Sequence, residues 1–338
     1  MKGSPRGRRV ALGAPAAAAA LVLGGCGGNQ NALEPESPQA RHIATLWWVM
    51  LGGAAFGFGV VVSLLLLGWV RRNREHLPFG GGDRVATGLI VGLGIAVPVV
   101  VLSLLFVWAD VFVLKSTAAP KKGSTRLTIR VIGHQWFWEV RYPGTRAVSA
   151  NEIHIPVGDR VRVVGTTDDV IHSFWVPALN RKIDLIPDHR NVELLQADRA
   201  GVYRGQCAEF CGLQHANMAL YVVAEPRARF EAWFRNMAGP ARVAPGGAGG
   251  LGRRLFLAEA CSGCHTIRGT AAAGKVGPDL THLRTRLTLG ALTIPNTRAY
   301  LRAWIRDPQH FKPGNRMPAL GLSDFDLDAV VAYLETLT

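Results

Sequence analysis

Cysteine is scarce in this chain, with five among 338 residues, and none is spare for a structural staple. Cys207 and Cys211 form one close pair, Cys261 and Cys264 another, and Cys26 stands alone near the N-terminus. Such spacing beside histidine favours metal or haem attachment over disulfides. Acids are also few, 24 Asp and Glu against 38 Lys and Arg, for a formal net charge of +14. The basic residues are nevertheless dispersed. No Lys/Arg block with interleaved aromatics occurs, so nucleic acid is not an expected partner, and the charge reads as a solvated surface.

Charge is missing from the centres of two apolar runs, about Ile43 to Val70 and about Val85 to Leu114, with Asp110 near the end of the second. Each exceeds the roughly 20 residues needed to cross a bilayer. Trp47, Trp48, Trp69 and Trp108 lie near the ends, as interfacial aromatics do. The loop between the runs carries Arg71, Arg72, Arg74 and Arg84, which predicts a cytoplasmic loop and both hairpin ends outside. Upstream, Lys2, Arg6, Arg8 and Arg9 precede an Ala-rich run from Val10 to Leu23, the shape of a secretory signal over residues 1–25. Leu23-Gly24-Gly25-Cys26 resembles a bacterial lipoprotein box, with Cys26 lipidated; a free cysteine after a plain signal is the alternative. Residues 26–42 are polar and Pro-containing and read as a lipid-anchored tether before a hairpin over 43–114.

From 115 to 238 the texture changes. Short Val/Ile/Thr-rich runs (Leu127–Ile132, Trp136–Tyr142, Glu152–Ile155, Arg160–Thr166, Val192–Leu195, Gly201–Gln206, Ala219–Ala224) alternate with turns such as Tyr142-Pro143-Gly144. That pattern predicts a Greek-key β-sandwich, closed by a short helix over Arg227–Met237. Residues 239–250 are Gly/Pro-rich and read as a linker. Residues 251–338 show helical patterns at about Gly252–Ala260, Thr297–Arg306 and Ser323–Leu337, a small all-α domain.

Two clusters carry chemistry. In Cys207-Ala-Glu209-Phe-Cys211-Gly212-Leu-Gln-His215-Ala-Asn-Met218, thiols, an imidazole and a thioether fall at helical spacing. One helix face is therefore one reading, but Gly212 and the flanking strands favour a loop. Zinc also takes Cys and His, whereas the thioether points to copper. The second cluster, Cys261-Ser-Gly-Cys264-His265, is the c-type haem attachment pattern, with a thioredoxin-like pair or a zinc pair as rivals. Downstream, Met317 or His310 could supply the second axial ligand.

Residues 43–225 resemble subunit II of the haem–copper cytochrome oxidases. The matching pieces are the two membrane helices, Gly133-His-Gln-Trp136-Phe-Trp138-Glu, Asp169-Val-Ile-His172-Ser-Phe-Trp-Val-Pro, Ile186-Pro187 and the Cys207–Met218 run. The resemblance implies a cupredoxin-like domain holding dinuclear copper, CuA. Cys207 and Cys211 would bridge, His172 and His215 would each bind one copper, and Met218 and the Glu209 carbonyl would be weak axial ligands. It also implies electron entry at Trp136, for which strand core is the plainer reading, and a magnesium ion on the Glu209 carboxylate at the subunit I boundary. Asp169, next to His172 in sequence, would order the electron-donor side or support the ligands from outside the set, with a solvated acid as the plainer reading. The family's acidic residue at the start of the second helix has no counterpart in Val85–Ala109, so no proton-channel role transfers.

The fused C-terminal region resembles a class I cytochrome c. Cys261 and Cys264 would bind haem c covalently, with His265 and Met317 as axial ligands and Gly277-Pro278 near His265. Together the two regions resemble caa-type oxidases. The implied path runs from cytochrome c or another respiratory complex to haem c, CuA and subunit I, where oxygen is reduced and protons are pumped. Implied partners are subunit I, other oxidase subunits and membrane lipid. The implied location is the bacterial inner membrane, with both large domains outside. The rivals are an input subunit of a CuA-containing nitric oxide reductase and a membrane copper chaperone or sensor.

Overall fold

The computed structural model describes residues 28, 30–71, 82–241 and 248–338. The signal segment, Cys26 and much of the linker lie outside them.

Two long helices come first, α1 (Pro38–Arg71) and α2 (Asp83–Leu114), both apolar enough to span a bilayer. π-helical turns occur within α2 at Gly92–Ala96 and Ala109–Leu114. Apolar side chains are exposed all round, among them Phe56, Leu65, Leu102 and Phe106, as suits lipid. The start of α1 departs from the tether reading. Ser37 caps it by accepting from Ala40 N at 3.0 Å, and Pro38 at the first helical position has no N–H to orphan. The segment is tied to the β-domain. Glu36 N donates to Ala178 O at 2.8 Å and Asp198 N to Glu36 O at 2.9 Å. The Ser37 hydroxyl donates to Leu179 O, Arg41 pairs with Asp198, and Ala40 and Ala44 are buried.

The β-domain is a sandwich of ten strands: β1 (Leu127–His134), β2 (Phe137–Arg141), β3 (Val148–Ala150), β4 (Glu152–Pro156), β5 (Val161–Thr167), β6 (His172–Trp175), β7 (Ile183–Leu185), β8 (Asn191–Leu195), β9 (Gly201–Cys207) and β10 (Ala219–Glu225). The sheets run β3-β2-β1-β5-β8 and β4-β10-β9-β6-β7. Both are mixed, with β1–β5 and β4–β10 parallel. Alternation along β5, buried at Val161, Val163, Gly165 and Thr167, places one face inward. The core gathers Ile129, Val131, Trp138, Val140, Phe174, Leu220 and Val222. Strands β3, β6 and β7 are too short for alternation to announce them. The helix α3 (Arg227–Ala238) covers one end.

The C-terminal domain is helical, with α4 (Ala248–Ala258), α5 (Cys261–Cys264), α6 (Arg298–Arg306), α7 (Pro308–Phe311) and α8 (Asp324–Leu334). A two-strand ribbon, β11 (Thr288–Leu289) and β12 (Ile294–Pro295), interrupts them. Ser323 caps α8 by accepting from Asp326 N at 3.1 Å, with Asp324 and Asp326 in its first turn, where negative charge suits the helix dipole. α4 and α8 cross in near contact. A Cβ on Gly252 would lie 1.9 Å from Ala329 O. Gly252→Ala should therefore destabilise this domain by about 2 kcal/mol or more through overpacking, outweighing alanine's better helix propensity. Thermal melting followed at the haem bands checks it; an unchanged midpoint contradicts the packing.

Candidate copper and haem centres

The first site forms where β9 ends. Cys207 N donates to Met218 O at 2.8 Å, so residues 208–218 leave β9 and return directly into β10. β9 also pairs with β6 at Phe174↔Cys207, which brings His172, on β6, to the loop. The loop contains only a short 3-10 turn, His215–Asn217, so the four candidate side chains do not lie on an α-helix face. Gly212 has φ +108°, and a Cβ there would lie 3.1 Å from Gln135 Nε2 and from the Trp136 ring. Both observations call for glycine.

The donors converge. Cys207 Sγ and Cys211 Sγ are 3.8 Å apart. His172 Nδ1 is 3.8 Å from Cys207 Sγ, and His215 Nδ1 is 3.7 Å from Cys211 Sγ. Met218 Sδ is 3.8 Å from Cys211 Sγ, and Glu209 O is 3.1 Å from Cys207 Sγ. His172, Cys207, Cys211 and Met218 are buried; His215 sits nearer the surface beside exposed Phe210 and Leu213. The Glu209 carboxylate is half exposed, 4.0 Å from Lys182 Nζ.

The supporting residues fix the tautomer. His172 Nε2 donates to Asp169 Oδ1 at 2.9 Å, leaving the Nδ1 lone pair facing the sulfurs. Burial opposes charge on His172, but the bonds to Asp169 and Cys207 outweigh it and raise its pKa. Asp169 is partly buried, which raises its pKa, yet bonds to His172 and to Gln135 N hold its carboxyl below the usual range. Contact with Cys211, opposed by burial, pulls the Cys207 thiol down, and the same contact pushes Cys211 up. Thiolate is the form that binds metal.

Sequence reading left several supporting roles unassigned. Gly133 makes room for the His172 ring, since a Cβ there would meet His172 Cδ2 at 2.6 Å. Gln135 Nε2 and Trp136 Nε1 both donate to Cys211 O, at 2.8 and 2.9 Å. The two tryptophans also part company. Trp138 is fully buried core, whereas Trp136 precedes β2 and is half-buried.

The second site is a cavity of about 190 Å³ lined by Cys261, Cys264, His265, Pro278, Met317 and apolar side chains from α4, α6 and α8. His265 Nδ1 donates to Pro278 O at 2.8 Å, leaving Nε2 free as a ligand atom. Burial lowers the His265 pKa, which favours the neutral ring that binds iron. Met317 N is held by Asn315 Oδ1 at 2.8 Å. His310 is exposed and does not line the cavity. Trp136 of the β-domain does line it.

Two family models match: "Cytochrome C oxidase subunit II, periplasmic domain" over residues 146–225 and "Cytochrome c" over residues 250–338. Cytochrome c oxidase subunit 2 of Alkalihalophilus pseudofirmus is 33% identical over 334 residues, covering 94% of this chain and 94% of that one. The chain belongs to the cytochrome c oxidase subunit 2 family. The same subunit of Bacillus sp. PS3 is 30% identical, covering 74% of this chain and 71% of that one. The periplasmic domain of subunit II of cytochrome oxidase of Bradyrhizobium japonicum is 32% identical over 36% of this chain and 96% of that one, with a TM-score of 0.34.

As a subunit 2 with a cytochrome c domain, the chain is a membrane protein and part of an oxidoreductase complex, with an electron-transfer role. The two domain families imply CuA copper and haem. The donors present fit both groups. Two thiols with a ring nitrogen beside each, plus a thioether, make a soft copper set. A cavity with two cysteines, an oriented histidine and a methionine suits haem c.

Proposed function

We propose that this chain carries electrons from an external donor through its haem domain to its copper domain, and from there to subunit I, where oxygen is reduced and protons are pumped. Haem c and CuA, when bound, supply one-electron redox chemistry; the chain's residues hold and orient them. Cys261 and Cys264 would attach the haem, and His265 and Met317 would hold its iron. Cys207, Cys211, His172 and His215 would hold the copper, with Met218 and the Glu209 carbonyl as weaker donors. The Glu209 carboxylate, half exposed and facing Lys182 Nζ at 4.0 Å, would exchange that partner for magnesium at the subunit I boundary. Cytochrome c or another respiratory complex is the donor, and the two large domains face outward from the bacterial inner membrane. Cys26 would carry the lipid.

The observation that carries this reading is the position of Trp136. It lines the haem cavity and donates its indole N–H to the backbone of Cys211. A tryptophan touching both sites is placed to pass electrons into the copper from the chain's own haem. Metal analysis with optical and EPR spectra of the purified chain tests the assignment. About two coppers and one haem iron per chain are expected from these ligand sets; a single reversible copper without haem would instead indicate a chaperone or sensor.

A further inference from the structure

Lys312 is 2% exposed, although it lies in a loop between α7 and Met317. Its Nζ donates to three backbone carbonyls, Trp136 O, Asn217 O and Gly290 O, each at 2.8 Å. Two of these belong to the copper domain and one to the haem domain. All three N–H bonds of the ammonium are used, and no carboxylate lies within ion-pair distance among the described residues. A buried ammonium bonded only to carbonyls from two domains is costly unless the domains stay together.

The surroundings agree. Gln214 Nε2 in the copper loop donates to Pro313 O at 2.8 Å. A Cβ on Gly314 would lie 2.9 Å from Leu213 Cδ2. The segment leading to Met317 thus packs on the segment between Cys211 and Met218. One acceptor of Lys312 is the carbonyl of Trp136, whose ring bonds Cys211 O at 2.9 Å.

We infer that Lys312 is a positioning residue for internal electron transfer: it clamps the haem domain onto the copper domain and fixes Trp136 between the two cofactor sites. This inference rests on the reading of those sites given above. Burial pushes the Lys312 ammonium down to about 7, opposed by the nearby Cys211 sulfur. The clamp moves no proton and forms no bond with either cofactor. It sets the geometry across which one electron leaves the reduced haem and is taken up by the oxidised copper pair.

The test has two arms on the full-length holo chain. Lys312→Met keeps the length of the side chain and removes its donors. With haem and copper content unchanged, electron transfer from flash-reduced haem to copper should slow by at least about tenfold, since ångström-scale misplacement is that costly. Relaxation of the copper EPR signal by the ferric haem should weaken in parallel. An unchanged rate and relaxation with both cofactors in place would overturn the clamp. The second arm uses the native chain. Acetylation by an N-hydroxysuccinimide ester should be at least about tenfold slower at Lys312 than at exposed Lys275, because a buried amine reacts only on local opening. Equal labelling would overturn the inference even if Lys312→Met failed to fold. Missing copper or haem in the native chain would instead sink the cofactor assignment.

Discussion

A Cys207→Ser chain will keep its haem bands and lose the mixed-valence copper signal. Cys207 Sγ is the hub of its cluster, 3.8 Å from Cys211 Sγ, 3.8 Å from His172 Nδ1 and 3.1 Å from Glu209 O. Serine offers a shorter, harder, essentially unionised oxygen, which cannot bridge two soft metal ions as a thiolate does. Copper affinity should fall by more than about 100-fold, beyond what loss of an outer-shell partner costs. The haem cysteines lie in a separate cavity, so their spectrum serves as an internal control. EPR with copper quantitation reads the result. Survival of the mixed-valence signal would mean that Cys207 is not a bridging ligand.

Gly277→Ala should uncouple covalent haem attachment from axial ligation. A Cβ at this position would lie 2.4 Å from His265 Cε1, 2.7 Å from Nδ1 and 2.9 Å from Nε2. The ring has little room to retreat, because Nδ1 is tied to Pro278 O at 2.8 Å. The methyl group must tilt the imidazole or push the loop away, and either change weakens the proximal bond. Cys261 and Cys264 remain in place, so haem staining on a denaturing gel should be unchanged. The visible spectrum should shift from low-spin His/Met toward high-spin, with a lowered reduction potential, since ligation sets that potential. A wild-type spectrum would show that the loop yields more easily than the close approach implies.

Much of this was legible because the chemistry is local in sequence. The copper loop contributes most of its donors within residues 207–218, and the haem pattern spans 261–265. Strands with clear alternation, such as β5 and β10, appear within a residue or two of their expected ends. What escaped depends on packing between distant segments. Gly133 looks like any strand glycine until β6 brings the His172 ring over it. Trp136 and Trp138 read as one strand face, yet β2 begins between them at Phe137. Lys312, followed by Pro313 and Gly314, reads as a solvated loop cation; only the docking of two domains buries it. The segment before α1 read as a tether on composition, since polar residues do not reveal that their partners are backbone groups of residues 178, 179 and 198.

That last contact has a mechanical consequence. The membrane helix α1 is continuous with a turn whose cap is bonded into the β-domain through Ser37 and Leu179. The copper loop is thereby mounted on a stiff post rather than hung from a cord. Its position relative to the membrane helix is set by these bonds, and on the proposed route so is the gap an electron would cross to subunit I. A glycine spliced into the turn at Ser37 would leave every ligand untouched and still alter that gap.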